Sequence, residues 1–215
     1  MRYTTVLFDL DGTLLNTIDD LTDAVNRTLA RFDLPQRTRG EVRSFVGNGA
    51  RLLMERAAPE VTGERFEELL ESYKADYDAN CRVKTAPYPG VDELLQALKD
   101  AGVRTGLISN KPDSAVQPLY EAFFADTIDV AVGEREGIRR KPAPDTVLSA
   151  MEQLGAKPGE TLYVGDSEVD IQTARNAGVA CASVAWGFRN PSFLLAHGAK
   201  RLFLSARELQ DDLLA

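Results

Sequence analysis

Hydrophobic positions change their period along this chain, and the changes mark its parts. The unbroken run Val6-Leu7-Phe8 leads into Asp9-Leu10-Asp11-Gly12-Thr13, which predicts a buried strand that stops at an acid pair where Gly12 lets the chain turn. Beyond Thr13 the period becomes helical. Ile18, Leu21, Val25, Leu29 and Phe32 share one helix face, Thr17 is placed to cap it with Asp20 three residues on, and Pro35 closes the segment. Thr38-Arg39-Gly40-Glu41 is a capping-box pattern that opens a short helix with Val42, Phe45 and Val46, which runs to Gly47-Asn48-Gly49. Helical signals continue through Leu52-Leu53-Met54 and through Phe66, Leu69, Leu70, Tyr73 and Tyr77. No strand is expected between about residues 15 and 82.

Pro87-Tyr88-Pro89-Gly90 is a turn cluster, and after it helices and strands alternate. The pattern predicts a helix from Val91 closed by Gly102, a strand Arg104–Ile108, a helix Asp113–Phe124 and a strand Ile128–Val132. It continues with a helix Asp145–Leu154 stopped by Gly155, a strand Thr161–Val164, a helix ending at Gly178, and a strand Val179–Val184. Arg201–Leu204 reads as a last strand, and Ser205-Ala206-Arg207-Glu208 as a second capping box opening a final helix. Repeated strand–helix units predict an α/β fold, a doubly wound, Rossmann-like parallel sheet covered by helices. The all-helical stretch interrupts it. The expected organisation is an α/β core from residues 1–14 and 83–215 with a helical insert, 15–82, between hinges near Leu14-Leu15-Asn16 and Tyr88-Pro89-Gly90.

Composition narrows the function classes. The chain has 215 residues, 44% hydrophobic, enough for a sizeable core. A formal charge of -8 disfavours nucleic acid and anionic membranes as partners, and Arg139-Arg140-Lys141 is the one basic cluster that stands out. Cys81 and Cys181 have no metal-binding spacing and do not make a disulfide scaffold. Met1 leads within a few residues into the first strand, which leaves no room for a signal peptide, and no apolar run approaches the ~20 residues of a membrane span. A cytoplasmic location is the expectation. Oligomeric state is not readable.

In a doubly wound sheet, ligands gather beyond the carboxyl ends of the strands. Asp9 and Asp11 follow the first strand there, Ser109 and Asn110 the second, Lys141 the stretch after the third, and Gly165-Asp166-Ser167 with Asp170 the fourth. Taken singly, each has a plain structural reading as a turn, a helix cap or a solvated loop charge. Together they place an acid pair, a hydroxyl with an amide, a lysine and a second acid pair at one sheet edge. That set suits phosphoryl transfer, in which a nucleophile must be held in line and negative charge neutralised by a lysine and a hard cation such as Mg²⁺.

Asp9-Leu10-Asp11-Gly12-Thr13, Ser109, Lys141 and Gly165-Asp166-Ser167-Glu168-Val169-Asp170, in this order, resemble the four motifs of the haloacid dehalogenase superfamily of phosphohydrolases. The resemblance covers the whole chain. It implies that Asp9 is a nucleophile forming an aspartyl-phosphate, and that Asp11 is the general acid and base. It implies Mg²⁺ held by Asp9, the backbone carbonyl of Asp11 and Asp166, with Asp170 direct or through water. Phosphoryl oxygens are then bound by Ser109, by amides around Leu10, Asp11 and Asn110, and by Lys141. The helical insert corresponds to a cap, and Val46-Gly47-Asn48-Gly49-Ala50-Arg51 to its specificity loop; the plain alternative for that loop is a helix–helix turn. Asp11 separates the chain from the dehalogenases, which lack an acid at that position. Phosphonate-cleaving members use a cap lysine, and none stands between Asn16 and Pro35.

Gly47-Asn48-Gly49 and Trp186-Gly187-Phe188 further resemble the phosphoglycolate phosphatase branch. The expected substrate is therefore a small phosphorylated metabolite such as 2-phosphoglycolate. A broad sugar-phosphate or nucleotide phosphatase, a pyrophosphatase, a hexose-phosphate mutase, or a non-catalytic phosphate- or partner-binding protein stays open. His197 has no assigned partner and reads as structural.

Overall fold

The computed structural model describes residues 2–215. The chain forms two compact units, one from Met1–Asn16 with Pro87–Ala215, the other from Thr17–Ala86. From sequence, residues 83–86 go with the core. In the structure the buried Asp20 accepts hydrogen bonds from the backbone N–H groups of Lys84 (3.0 Å) and Thr85 (2.8 Å), which binds this stretch to the helical unit.

The first unit is a mostly parallel α/β layer structure. In chain order it contains β1 (Thr5–Asp9), β2 (Leu15–Asn16), β3 (Ala86–Pro87), α1 (Val91–Asp100), β4 (Arg104–Pro112), α2 (Asp113–Phe123), β5 (Val130–Glu134), α3 (Asp145–Leu154), β6 (Thr161–Gly165), α4 (Glu168–Ala177), β7 (Ala180–Val184), α5 (Pro191–Ala196), β8 (Leu202–Phe203) and α6 (Ala206–Leu214); Ala86 itself falls at the end of the helical unit. Six strands make one parallel sheet in the order β5-β4-β1-β6-β7-β8. Sequence order runs outward from β1 through β4 to β5, then returns to β6 on the other side of β1. The strand order therefore reverses between β1 and β6, the place where such sheets hold ligands.

β1 lies inside the sheet between β4 and β6, and every residue in it is buried. Val6, Leu7 and Phe8 are at most 1% exposed, and burial of each contributes roughly 1.5–3 kcal/mol. Leu7 belongs to one continuous core cluster with Ile108, Val132, Val147, Met151 and Tyr163. Gly155 closes α3 at φ 59°, in the left-handed region, as expected of a helix stop.

Several boundaries differ from the sequence expectation. β4 runs on to Pro112 rather than ending at Ile108, because its pairing with β5 shifts register between Ile108 and Pro112. Ser109, Asn110 and Lys111 consequently lie within a strand. The third core strand begins at Val130, not Ile128, since the N–H of Ile128 is still bonded to the Phe124 carbonyl. The short strand β2 falls in a stretch expected to hold none. At the C-terminal helix, Ser205 accepts from the Glu208 N–H, but the Glu208 carboxylate takes the N–H of Leu204, so the box is only half closed.

The second unit is helical: α7 (Ile18–Arg31), α8 (Arg39–Phe45), α9 (Gly49–Ala57) and α10 (Glu64–Asn80). α7 packs on α10, where Arg27 and Arg31 both reach the buried carboxylate of Asp76 at 2.7 Å. The Thr38–Glu41 capping box forms at the start of α8. The Thr17 cap does not form, because Asp20 is turned to the backbone of Lys84 and Thr85 instead. Among the described residues, no helix is long and apolar enough to cross a membrane.

Candidate active site

The sheet unit assembles the acidic residues at its strand ends through two sharp turns. β1 ends at Asp9, and the Leu10 carbonyl accepts the N–H groups of Thr13, Leu14 and Leu15, so the chain reverses immediately. Gly12, at φ 89°, sits in the turn; a Cβ there would run into the Asp166 carboxylate. Gly187 is just as confined, since its Cβ would meet the Gly12 carbonyl and the Asp166 side chain. Gly165 leaves room for Asp170 in the same way.

Asp9, Asp166 and Asp170 form a buried cluster in which one oxygen from each lies within 4.8 Å of the others. Lys141 joins it. Its Nζ lies 2.7 Å from Asp9 Oδ1, 2.8 Å from Asp170 Oδ1 and 3.0 Å from the Tyr163 hydroxyl. The Lys141 backbone is fixed by Asn110, whose Oδ1 accepts from the Lys141 N–H (2.7 Å) while its Nδ2 donates to the Lys141 carbonyl (3.0 Å). Asn110 thus spends its side chain on holding the lysine. The Ser109 Oγ accepts the Lys111 N–H at 3.1 Å.

Electrostatics set the chemistry of this cluster. Burial holds the Asp9 carboxyl well above the ordinary carboxylate range; Lys141 opposes the shift, and Asp170 and Asp166 add to it. Burial, reinforced by the charge of Asp170, pushes Asp166 up to about 7, against the pull of the Phe188 N–H and Arg189. Burial works against the charge on Lys141, but Asp170 and Asp9 outweigh it and hold the ammonium well above the usual lysine range. Tyr163 is likewise raised, chiefly by burial.

The donor set fits a hard divalent cation. Three carboxylates share a dry site with one ammonium, and the raised values of Asp9 and Asp166 are the mark of missing positive charge. The three are not equivalent. Asp166 accepts the Phe188 N–H on Oδ2 at 2.5 Å, which directs Oδ1 as the remaining donor. Asp170 is already occupied on both oxygens: Oδ1 accepts from Lys141 and from Tyr163 (3.1 Å), Oδ2 from the Ser167 N–H (3.1 Å) and hydroxyl (2.5 Å). Four acceptances saturate a carboxylate.

Asp11 stands apart from this cluster. Its Oδ1 pairs with Lys111 Nζ at 3.1 Å, with side-chain exposures of 15% and 4%. Lys111 was not among the expected site residues, and neither was Tyr163 or the Phe188 N–H. Trp186 donates from Nε1 to the Thr13 carbonyl at 2.9 Å, which ties the segment after β7 to the turn after β1. Gly47 and Asn48 belong to the helical unit, between α8 and α9. Gly49 opens α9, so the expected loop is shorter than Val46–Arg51. Arg51 is a helical residue paired with Glu67 at 2.6 and 3.0 Å. His197 stacks on Phe193 and its Nδ1 lies 2.8 Å from the Phe193 carbonyl.

Comparison with known proteins agrees with this layout. Residues 6–184 match the haloacid dehalogenase-like hydrolase family. An N-acetylmuramic acid 6-phosphate phosphatase of Pseudomonas aeruginosa is 36% identical over 98% of this chain and 95% of its own length. A phosphoglycolate phosphatase of Rhodospirillum rubrum is 36% identical over 85% of this chain and 80% of its own. A candidate phosphoglycolate phosphatase from Lactobacillus delbrueckii subsp. bulgaricus superposes with a TM-score of 0.94 at 36% identity, covering 99% of both chains. The chain belongs to the haloacid dehalogenase-like hydrolase family, as an enzyme resembling its phosphoric monoester hydrolases.

Proposed function

We propose that the protein is a Mg²⁺-dependent phosphomonoester hydrolase that works through a phospho-Asp9 intermediate, with a small acid phosphate such as 2-phosphoglycolate as substrate. The observation that carries this reading is the division of labour among the carboxylates. Asp9 lies in the buried cluster, bridged by Lys141, whereas Asp11 lies outside it on a separate lysine. One acid is thereby suited to attack phosphorus and the other to move a proton.

In the first step an Asp9 oxygen bonds to phosphorus, the ester P–O bond breaks, and the leaving oxygen takes a proton from Asp11. In the second, water attacks phosphorus and gives a proton to Asp11, the P–O bond to Asp9 breaks, and phosphate departs. Lys141 keeps Asp9 oriented and offsets charge on the phosphoryl oxygens, while Asn110 holds Lys141 by its backbone. Ser109 and the backbone amides around Leu10, Asp11 and Asn110 would bind those oxygens. Asp9, the Asp11 carbonyl and Asp166 would hold Mg²⁺, with saturated Asp170 contributing through water. The ion supplies Lewis-acid neutralisation of the phosphoryl charge.

The helical unit, Thr17–Ala86, corresponds to the family's cap domain, and Gly47, Asn48 and Gly49 to its substrate loop. We place the enzyme in the cytoplasm, in keeping with two cysteines that form no disulfide. A second reading, hydrolysis of N-acetylmuramic acid 6-phosphate, is favoured by the relative that covers nearly the entire chain.

The test is phosphate release from 2-phosphoglycolate, N-acetylmuramic acid 6-phosphate, hexose phosphates, nucleotides and pyrophosphate, with Mg²⁺ and with EDTA. Mg²⁺-dependent release from 2-phosphoglycolate at a kcat/KM far above the others is expected. Preference for the muramic acid ester would select the second reading. Equal slow release from all would discard a small acid substrate, and none from any would overturn the hydrolase reading.

A further inference from the structure

Lys111 is buried at a strand end, yet the phosphoryl chemistry above does not use it. A buried lysine without a function is unusual, because removing an ammonium from water is costly unless an anion accompanies it. Lys111 Nζ pairs with Asp11 Oδ1 at 3.1 Å. The other buried lysine, Lys141, faces Asp9 and Asp170. Lys141 is thus paired with Asp9, read above as the nucleophile, and Lys111 with Asp11, read above as the acid that serves the leaving group.

We infer that Lys111 is a specificity-determining residue that binds a carboxylate on the carbon adjacent to the ester carbon of the substrate. The inference rests on the phosphomonoester hydrolase reading and names the substrate class of the same site. To receive a proton from Asp11, the leaving oxygen must come within hydrogen-bond reach of that carboxyl. With Lys111 Nζ 3.1 Å from Asp11 Oδ1, the ester oxygen then lies at most about 6 Å from Nζ. In an ester of the type phosphate–O–CH₂–COO⁻, a carboxylate oxygen sits about 3 Å from the ester oxygen. It spans the gap to a second hydrogen bond with the ammonium.

The chemistry of the ammonium permits this, since its three N–H donors point in different directions and can hold Asp11 and a second carboxylate together. Position permits it too. Lys111 is two residues after Ser109 on β4, the strand adjoining β1, with its backbone N–H fixed on the Ser109 hydroxyl. A sugar 6-phosphate has no anion on the carbon next to its ester carbon, so the same lysine would have nothing to bind there.

The experiment compares 2-phosphoglycolate with 2-hydroxyethyl phosphate, the same length with a hydroxymethyl in place of the carboxylate. Phosphate release in Mg²⁺ is measured for the native protein, Lys111→Met and Lys111→Gln, together with inhibition by glycolate and by ethylene glycol. The native protein should prefer 2-phosphoglycolate in kcat/KM, and loss of one charged hydrogen bond should shrink that ratio by roughly 10–100-fold in both variants. The ratio is the readout, because disturbance of Asp11 lowers both activities alike. Glycolate should inhibit the native protein well below the concentration needed for ethylene glycol, a result that requires no variant to fold. A native preference that survives both substitutions overturns the role of Lys111 and leaves the hydrolase reading intact. Absence of preference in the native protein, with both esters hydrolysed, does the same. Hydrolysis of neither ester, nor of any other phosphomonoester, overturns both.

Discussion

Removing Mg²⁺ should make the protein lose stability as pH rises from 5 to 8, and restoring it should cancel the loss. Asp166 has its folded-state pKa pushed up to about 7 by burial and by Asp170, whereas in the unfolded chain it is an ordinary aspartate. A folded pKa above the unfolded one means that the native state binds the extra proton. The stability from this group is therefore full below about pH 4 and lost as pH rises through about 7. The full difference of about three units corresponds to about 4 kcal/mol, of which about two units fall above pH 5, so the loss over the tested range is about 3 kcal/mol, or about 8 °C in Tm for a chain of this size. Asp9 is raised as well, which adds to the same slope. The carboxyls lowered by arginine or capping partners, Asp19, Glu41, Glu67 and Asp145, are ionised throughout this window and contribute no slope.

Mg²⁺ competes with those protons. An ion bound at Asp166 would have to displace one at pH 5, which would weaken binding by roughly 100-fold, whereas at pH 8 it would meet a carboxylate. At 100 times its Kd the ion contributes about 2.7 kcal/mol. The assay is thermal unfolding followed by the fluorescence of Trp186, the chain's single tryptophan, which is bonded to the Thr13 carbonyl and lies two residues from the Asp166 contact at Phe188. In EDTA the Tm should fall from pH 5 to 8, and the gap between Mg²⁺ and EDTA curves should widen over the same range. Asp166→Asn should flatten the EDTA slope and abolish most of the Mg²⁺ shift. A flat or rising Tm in EDTA, or an undiminished slope in the variant, would refute the electrostatic account of the cluster.

Three further substitutions probe separate parts of the site. Asp9→Asn should reduce phosphate release by at least ~10³-fold while circular dichroism stays native and the Tm in EDTA does not fall, because a buried acid among like charges has been neutralised. Asn110→Ala removes both hydrogen bonds to the Lys141 backbone; thermal melts should register a loss of about 1–3 kcal/mol, and kcat should drop more than KM changes. Gly187→Ala forces a methyl against the Gly12 carbonyl and Asp166, so a lower Tm, by about 1–3 kcal/mol in stability, and a weaker Mg²⁺ midpoint in titration are expected.

What sequence discloses here follows from how local the cause is. The β1 run is apolar on every residue because both faces of a central parallel strand are covered, and Gly12 betrays the turn, so Asp9 and Asp11 stand out. Gly155 and Gly178 punctuate their helices, and both are left-handed in the structure. Long-range choices leave no such trace. Thr17 with Asp20 has the spacing of a cap, but Asp20 is claimed by backbone N–H groups 64 and 65 residues away. The extension of β4 depends on a register shift against β5, so Ser109–Lys111 look like a loop from sequence alone. Tyr163 is hidden among strand hydrophobics until its hydroxyl is seen between Lys141 and Asp170. Lys111, beside Pro112, carries no motif of its own; only its burial exposes it. The Phe188 N–H on Asp166 belongs to backbone and has no sequence signature at all.

The distribution of positive charge explains why four carboxylates can share one sheet edge without unfolding it. Lys141 pairs with Asp9 and Asp170, and Lys111 with Asp11. Asp166 relies instead on a backbone N–H and on more distant Arg189, which is why its proton affinity climbs to about 7. A cation held there would complete the neutralisation at Asp166, which no lysine pairs, and relieve Asp9, which Lys141 compensates only in part. Had Lys111 approached Asp166 instead, it would have neutralised the same charge and competed with the metal. Its position on Asp11 leaves Asp166 available to an ion and, on the proposed mechanism, would put a positive charge beside the leaving group, so that metal and second lysine would act on different ends of one substrate.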